Sequence, residues 1–397
     1  MKIKVANMRS RSDLHVTNGR EDFRQEQSTY TFRPRRIPYD SVIIDGHSGY
    51  ISLQAFHWLS RNKVPVFILD YDGSMISSIL PPSPVKADLR AAQIKASEDA
   101  RKKFSIANAI VRAKVARSLQ VLDWLAQRYD IQKQVRLTKG EALRLGRARS
   151  VVDLRTVEGR VALRYWQAYA SVIPECFDFQ GRMTSSHQNN ASDPVNLALN
   201  YAYGVLEGEC RAAINAIGLE SSVGFLHETS GYQTKQSLVY DLQEPFRWIA
   251  DVAVMGAFES GLLDLPDFYF TGDDYRYRFE PVAKVRLLDL LHERFNSKAR
   301  YKGRASRWDT LIEQKTVELG HFLTNKSSSL AFDEPAPVLA GEDSRELRAR
   351  ILTLRSSDTK QLGIGDSTLH YLRRKAGQQR PFAIYRKVRA KLFIPVS

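Results

Sequence analysis

The chain has 397 residues, 43% of them hydrophobic, and a formal net charge of +15. A chain of this length builds more than one core, and a positive excess on this scale points to a polyanion, with nucleic acid ahead of a membrane surface because no basic amphipathic anchor stands out. Two cysteines, Cys176 and Cys210, exclude a disulfide framework and a four-thiolate metal site. No apolar run reaches the roughly 18 residues of a membrane span, and the N-terminus lacks the order of a signal peptide, so a cytoplasmic location is expected.

The expected fold class is α+β: a small N-terminal β-rich domain, a large all-α catalytic domain and a C-terminal helix-turn-helix-like extension. Residues 1–80 carry short strand-like runs at 41–44 and 64–69, punctuated by Asp45-Gly46 and Asp72-Gly73, with one helix near 52–62 where Leu53, Phe56 and Leu59 keep helical spacing. Residues 81–87 open with Pro81-Pro82-Ser83-Pro84, a run that continues neither sheet nor helix and predicts a stiff linker. From 88 to 325 the periodicity is helical. A long stripe over 86–129 interleaves apolar positions with Arg90, Lys95, Arg101, Lys102, Lys103, Arg112, Lys114 and Arg117, either a solvated face or one that meets phosphates. Further helices are expected over 158–171, 194–219, 243–263, 280–295 and 308–323.

Residues 326–344 are polar and Pro/Gly-containing and predict a second linker. Residues 345–397 hold thirteen Lys/Arg against three Asp/Glu, so ten of the fifteen net positive charges lie there. A helix over 346–354, a Gly363-Ile364-Gly365 turn and a second helix over 366–376 give the order of a helix-turn-helix, with Asp366 as N-cap, Leu362, Ile364, Leu369 and Leu372 inward, and Ser367, Thr368, Tyr371 and Arg374 outward toward DNA. A helical hairpin used only for packing is the competing reading.

The chemistry concentrates in 224–247, GFLHETSGYQTKQSLVYDLQEPFR. His227 sits in an apolar run, and Asp241 and Glu244 stand three apart, which on one helix places their Cβ atoms roughly 5–6 Å from each other on a single face. A like-charge pair at the edge of a core is costly unless a cation relieves it, and a hard divalent metal with oxygen ligands and one imidazole is the simplest relief. Acid pairs on solvated helices and satisfied core histidines are the plainer alternatives.

Further motifs join this stretch: Thr156-Val157-Glu158-Gly159, expected to open a helix; Phe179-Gln180-Gly181-Arg182; and DPVNLALNYAY from Asp193 to Tyr203. In this order, after a small β domain and a proline linker, they closely resemble the CRISPR adaptation integrase family, metal-dependent endonucleases that insert new spacers into a repeat array. The resemblance runs over about 39–322 and implies that Glu158, His227 and Glu244 hold a catalytic Mg²⁺ or Mn²⁺, with Asp241 a neighbouring functional acid. Where the family often has Gly two places before the first acid, Thr156 stands here. Arg182, Asn196, Asn200 and Tyr201 are candidate DNA contacts, arginine for phosphate and tyrosine for stacking, although an Asn-Tyr pair on a helix also serves as a buried hydrogen-bonding device.

The resemblance further implies double-stranded DNA as donor and target, a homodimer formed through the β domain, and a small ferredoxin-like companion protein. Casposases, transposon integrases that resemble the same family and act without that companion, are the alternative within the enzymes. A non-catalytic helix-turn-helix regulator whose acids are structural is the alternative outside them.

Overall fold

The computed structural model describes residues 2–3, 6–10, 14–18, 29–33, 41–45, 49–84, 86–182, 192–227, 236–272, 276–333, 335–337, 339, 344–355, 358, 362–377, 388 and 391–392. The fold is α+β, with a small β region at the N-terminus followed by a largely helical chain. It divides into two compact units: Met1–Lys102 with Tyr203–Gln243 and Asp309–Leu330, and Lys103–Ala202 with Glu244–Trp308 and Ala331–Ser397.

In the first unit, the strands among the described residues form two four-stranded sheets. The strands are β1 (Lys2–Ile3), β2 (Ala6–Ser10), β3 (Leu14–Asn18), β4 (Thr29–Phe32), β5 (Val42–Asp45), β6 (Gly49–Ile51), β7 (Val66–Leu69) and β8 (Met75–Ile79). One sheet has the order β1-β5-β7-β8, the other β4-β3-β2-β6. Both are mixed: β1, β5 and β7 run parallel and β8 returns antiparallel, while β2 pairs antiparallel with β3 and parallel with β6. Helix α1 (Leu53–Arg61) starts at Ser52, whose hydroxyl accepts from the Ala55 N–H, and its Ala55, Trp58 and Leu59 join Phe32, Val42, Ile44 and Val66 in one core. Pro81 to Pro84 adopt no regular structure.

Helix α6 (Pro194–Ile217) meets the β7–β8 hairpin at Gly204, where a Cβ would stand 2.1 Å from the Gly73 carbonyl oxygen; only glycine permits that approach. Within the same unit, α2 (Ala87–Glu98) carries the buried Gln93, which donates to the Glu220 and Val223 carbonyls and accepts from the Glu220 N–H, pinning the segment that leads to His227. The stripe expected as one helix over 86–129 is two. Asp99 ends α2 in an extended conformation and its carboxylate accepts from the N–H groups of Arg101 and Lys102, so its side chain caps α3 (Ala100–Ala126).

The second unit is built on α3, α5 (Val151–Ala170) and α8 (Arg247–Glu259). Val111, Val121 and Leu125 of α3, Leu154, Val161 and Ala168 of α5, and Ile249, Val252 and Met255 of α8 are buried. Tyr165 and Tyr169 of α5 both donate to Asp251 of α8, one to its carboxylate at 2.7 Å and the other to its carbonyl at 2.8 Å, which fixes the two helices in register. Helix α4 (Gln132–Ala142), absent from the sequence reading, packs on α5. The expectation of an all-α catalytic domain needs correction, because two antiparallel hairpins interrupt it. They are β9 (Phe268–Thr271) with β10 (Arg276–Phe279), and β11 (Lys298–Tyr301) with β12 (Arg304–Arg307), on either side of α9 (Pro281–Asn296). Aromatic residues alternate with arginines in β10, and Ala299 and Tyr301 alternate with cations in β11, a period-2 pattern that favours pleated pairing over a helical stripe.

Helix α10 (Trp308–Leu323) follows, and then a polar stretch that is not wholly solvated: Phe332 is buried, and the Arg117 guanidinium of α3 donates to the carbonyls of Asp333 and Pro335. At the C-terminus, α11 (Ser344–Thr353) and α12 (Asp366–Gly377) close over Ile351, Leu354, Leu362, Ile364, Leu369, Leu372 and Leu392. Asp366 is the first helical residue, not the cap. The Gly365 carbonyl accepts from the Leu369 N–H and opens the helix one residue earlier. Ser367, Tyr371 and Arg374 are exposed and Thr368 half-buried.

Candidate active site

The first structural surprise lies between Asp241 and Glu244. The helix expected over 243–263 does not start at Gln243: α7 (Ser237–Gln243) ends there, Glu244, Pro245 and Phe246 form a 3₁₀ turn, and α8 begins at Arg247. Pro245 has no N–H to give the carbonyl four residues back, which is that of Asp241, and its ring crowds that oxygen. The two acids differ in their partners: Asp241 turns to backbone N–H groups and Glu244 to cations.

Asp241 is wholly buried and turns toward the backbone of the 224–227 segment. Its Oδ2 accepts from the N–H groups of Phe225 at 2.5 Å and Leu226 at 2.9 Å, and its Oδ1 from the His227 N–H at 2.9 Å. The same Oδ1 stands 2.8 Å from His227 Nδ1. A carboxylate accepts only, so Nδ1 carries the proton and the lone pair sits on Nε2. Gly224 makes this possible. A Cβ there would come within 2.7 Å of Ser237 Cβ and 3.0 Å of Asp241 Oδ2. Asp241 thus acts as the orienting partner of an imidazole, and the imidazole itself stays accessible, its side chain 42% exposed.

In the second unit Glu158 and Glu244 converge on one cation. The Ser150 hydroxyl accepts from the Asp153 N–H, and the Asp153 carboxylate accepts from the Ser150 N–H, a reciprocal cap that starts α5 at Val151. Glu158 therefore lies two turns inside the helix instead of in its first turn, as the sequence had suggested. Thr156, at the position where a glycine had been expected, bonds back to the Val152 carbonyl as an ordinary helical threonine.

From α3, the Lys114 ammonium reaches Glu158 Oε1 and, at 2.6 Å, Glu244 Oε2. Arg247 Nη1 holds the other Glu244 oxygen at 3.2 Å. Burial opposes the lysine's charge, yet Glu244 and Glu158 outweigh it and hold its pKa above the ordinary lysine value. Among the described residues no three His, Cys, Asp or Glu side chains are drawn together as a metal cluster; the carboxylate pair is gathered around an ammonium instead.

Lys114 and Arg247 were not singled out as site residues from sequence. Lys114 counted only as one of many cations on a basic helix face, and the available signal was the apolar pair Ile110 and Val111 one turn before it on the same face.

The remaining candidates separate. Arg182 Nη1 donates to Asn196 Oδ1 at 3.1 Å and to Asn200 Oδ1 at 2.7 Å, so these three do meet. Asn196 is buried, donating to Asp193 Oδ2 and to the Gly181 carbonyl, and is a structural hydrogen-bonding device. Burial pushes the Asp193 carboxyl up, against the hydrogen bonds from Asn196. Tyr201 is fully buried, its ring edge-on to Phe279 at 5.7 Å with Lys284 Nζ 5.5 Å from its centroid. A ring with no exposed face cannot stack on a base, so the expected DNA contact at Tyr201 is corrected to a core position.

Comparison with known proteins adds to this geometry. "CRISPR-associated endonuclease Cas1 1" of Archaeoglobus fulgidus is 30% identical over 292 residues, 68% of this chain and 82% of that protein. A solved casposase bound to integration product is 36% identical, with a TM-score of 0.79, covering 89% of this chain and 98% of that one. A CAS1 protein from Thermotoga maritima, 14% identical, shares the fold with a TM-score of 0.67 over 83% of this chain and 99% of that one. The family model of CRISPR associated protein Cas1 matches residues 8–293, and with the paired carboxylates, the Asp241-oriented imidazole and these relatives in agreement, the chain belongs to the Cas1 family.

Proposed function

We propose that this chain is a metal-dependent DNA integrase that joins the 3′-OH end of a donor DNA to a phosphodiester of a target duplex. The observation that supports the reading is the convergence of Glu158 and Glu244, from separate elements, on a single positive charge. Two carboxylates bridged by an ammonium form a donor set that fits Mg²⁺ or Mn²⁺, and Glu158 and Glu244 are the residues that would hold the ion, with His227 a further ligand only as the family resemblance implies. When bound, such an ion stabilises negative charge on the leaving 3′-oxygen of the target strand. In the exchange one P–O bond forms to the donor oxygen, one breaks to the target oxygen, and the proton of the donor hydroxyl passes to the leaving oxygen.

The protein's own residues prepare the site. Asp241 keeps the Nδ1 proton on His227 and thereby presents Nε2. Arg247 fixes the orientation of Glu244, and the Tyr165 and Tyr169 bonds to Asp251 hold α5 against α8. Asp241 is on this view a positioning residue. The basic C-terminal helices, with Ser367, Thr368, Tyr371 and Arg374 on the outer face of α12, dock on duplex target, and a homodimer through the N-terminal sheets presents two sites. Glu244→Ala should abolish Mn²⁺-dependent joining while retaining most DNA affinity, which rests on Lys and Arg contacts to phosphate. Undiminished joining would return the acids to a structural role, whereas a wild-type chain that binds duplex and joins no strand would be a DNA-binding regulator.

Within this class, the casposase reading is favoured over CRISPR spacer insertion with a ferredoxin-like companion. The casposase match is 36% identical with a TM-score of 0.79, against 14% and 0.67 for the Thermotoga maritima CAS1 protein. A casposase joins donor ends as the purified protein alone. Joining that appears only when the companion is added would reverse the preference.

A further inference from the structure

The β11–β12 hairpin has no part in the site so far. Its ten residues from Lys298 to Arg307 include Lys298, Arg300, Lys302, Arg304 and Arg307 and not one acid. Ala299 and Tyr301 point inward and are buried, while Lys298, Arg300, Lys302 and Arg304 are exposed. Lys302 and Gly303 at the tip both take positive φ, 47° and 79°, the tight turn whose twist matches a two-stranded ribbon. Lys298 lies directly across from Arg307, with Arg300 two residues along on the same face. The ribbon therefore presents closely spaced positive charge on one face, which favours a polyanion.

Its position gives that polyanion an identity. Trp308, which follows Arg307 directly, packs edge-on against Trp248 at 4.8 Å between ring centroids. Trp248 adjoins Arg247, the residue that holds Glu244. The base of the ribbon thus packs against the residue next to Arg247, whose guanidinium holds Glu244.

We propose that this hairpin is a phosphate-gripping ribbon that follows the backbone of the duplex beside Glu158 and Glu244, with Lys298, Arg300 and Arg304 as its contacts. The proposal rests on the reading of the chain as a DNA integrase, but its test does not. Duplex binding of the full chain is measured across a salt series in EDTA, so that no joining occurs, for wild type, for Lys298→Ala/Arg300→Ala, and for a control of equal charge loss, Lys133→Ala/Arg136→Ala, whose side chains are exposed on α4. Each lost phosphate contact removes about 0.9 from the slope of log K against log salt, so the loss of affinity between about 50 and 200 mM salt should shrink roughly tenfold in the hairpin variant and stay as in wild type in the control. A hairpin variant that keeps the wild-type slope, equal changes in the two variants, or a wild type that does not bind duplex would overturn the proposal. Salt-dependent binding that loses its slope in the hairpin variant upholds it even if no strand joining is ever observed.

Discussion

Replacing Lys114 by methionine tests the idea that its ammonium occupies the place a divalent ion takes. The substitution keeps the apolar stem of the side chain and deletes the charged tip, leaving Glu158 and Glu244 without the cation between them. Removing one partner from a buried ion pair costs about 3–5 kcal/mol. Here the Glu158 side chain is 21% exposed and water screens part of its charge, and Arg247 still holds Glu244, whose own side chain is 5% exposed. The expected loss is therefore at the low end, about 2–3 kcal/mol in metal-free buffer. Urea unfolding in EDTA measures it. Mn²⁺ titration then gives the second half of the prediction. An ion at about 100 times its Kd adds about 2.7 kcal/mol, and in the variant it no longer competes with a tethered ammonium, so Lys114→Met should gain stability at lower Mn²⁺ than wild type does. A variant as stable as wild type in EDTA, or one with an unchanged Mn²⁺ response, would refute the reasoning.

Asp241→Asn sets an amide N–H₂ against two of the four donors that now share the carboxylate, each left unmet at about 1–3 kcal/mol; a loss of about 4 kcal/mol by urea unfolding is expected, and a loss under about 1 kcal/mol would show that the 224–227 segment does not depend on it. Asp153 is held below the usual carboxylate range, first by the Arg149 N–H and then by the Ser150 hydroxyl. A depressed folded pKa means that the cap stabilises α5 above about pH 4 and loses that contribution as pH falls through the folded value; the gap in Tm between wild type and Asp153→Asn should close in acid, and a gap that stays constant would remove Asp153 from that role.

The helices that were easiest to place from sequence are those where apolar spacing and an end signal agree. Ser52 before α1, Pro194 opening α6 and Trp308 opening α10 all stand where periodicity put them. Errors came from single residues with local chemistry that overrides a stripe: Asp99 splits one helix into two, and Pro245 interrupts the chain between α7 and α8. The identities of the acids and of His227 were visible in motifs, but their division of labour was not. Asp241 owes its role to three backbone N–H groups on a segment fourteen to sixteen residues away, and Lys114 to carboxylates carried by other elements. Tyr201 was misjudged because a helical aromatic flanked by Asn and Ala looks the same in sequence whether its neighbours bury it or leave it open.

Arg117 has a consequence for how this protein can be divided. It lies one helical turn beyond Lys114 on α3, is 3% exposed, and its guanidinium is accepted by the carbonyls of Asp333 and Pro335. The chain leaving the catalytic core is therefore stapled to the same helix that supplies the ammonium between the two glutamates. A cut at Asn325, the natural choice by composition, removes both acceptors and leaves a buried guanidinium short of partners, whereas a cut after Pro337 keeps the staple. Appendage and core are joined by a fitted seam, and grafting another DNA-binding module onto this core should preserve the chain through Pro337.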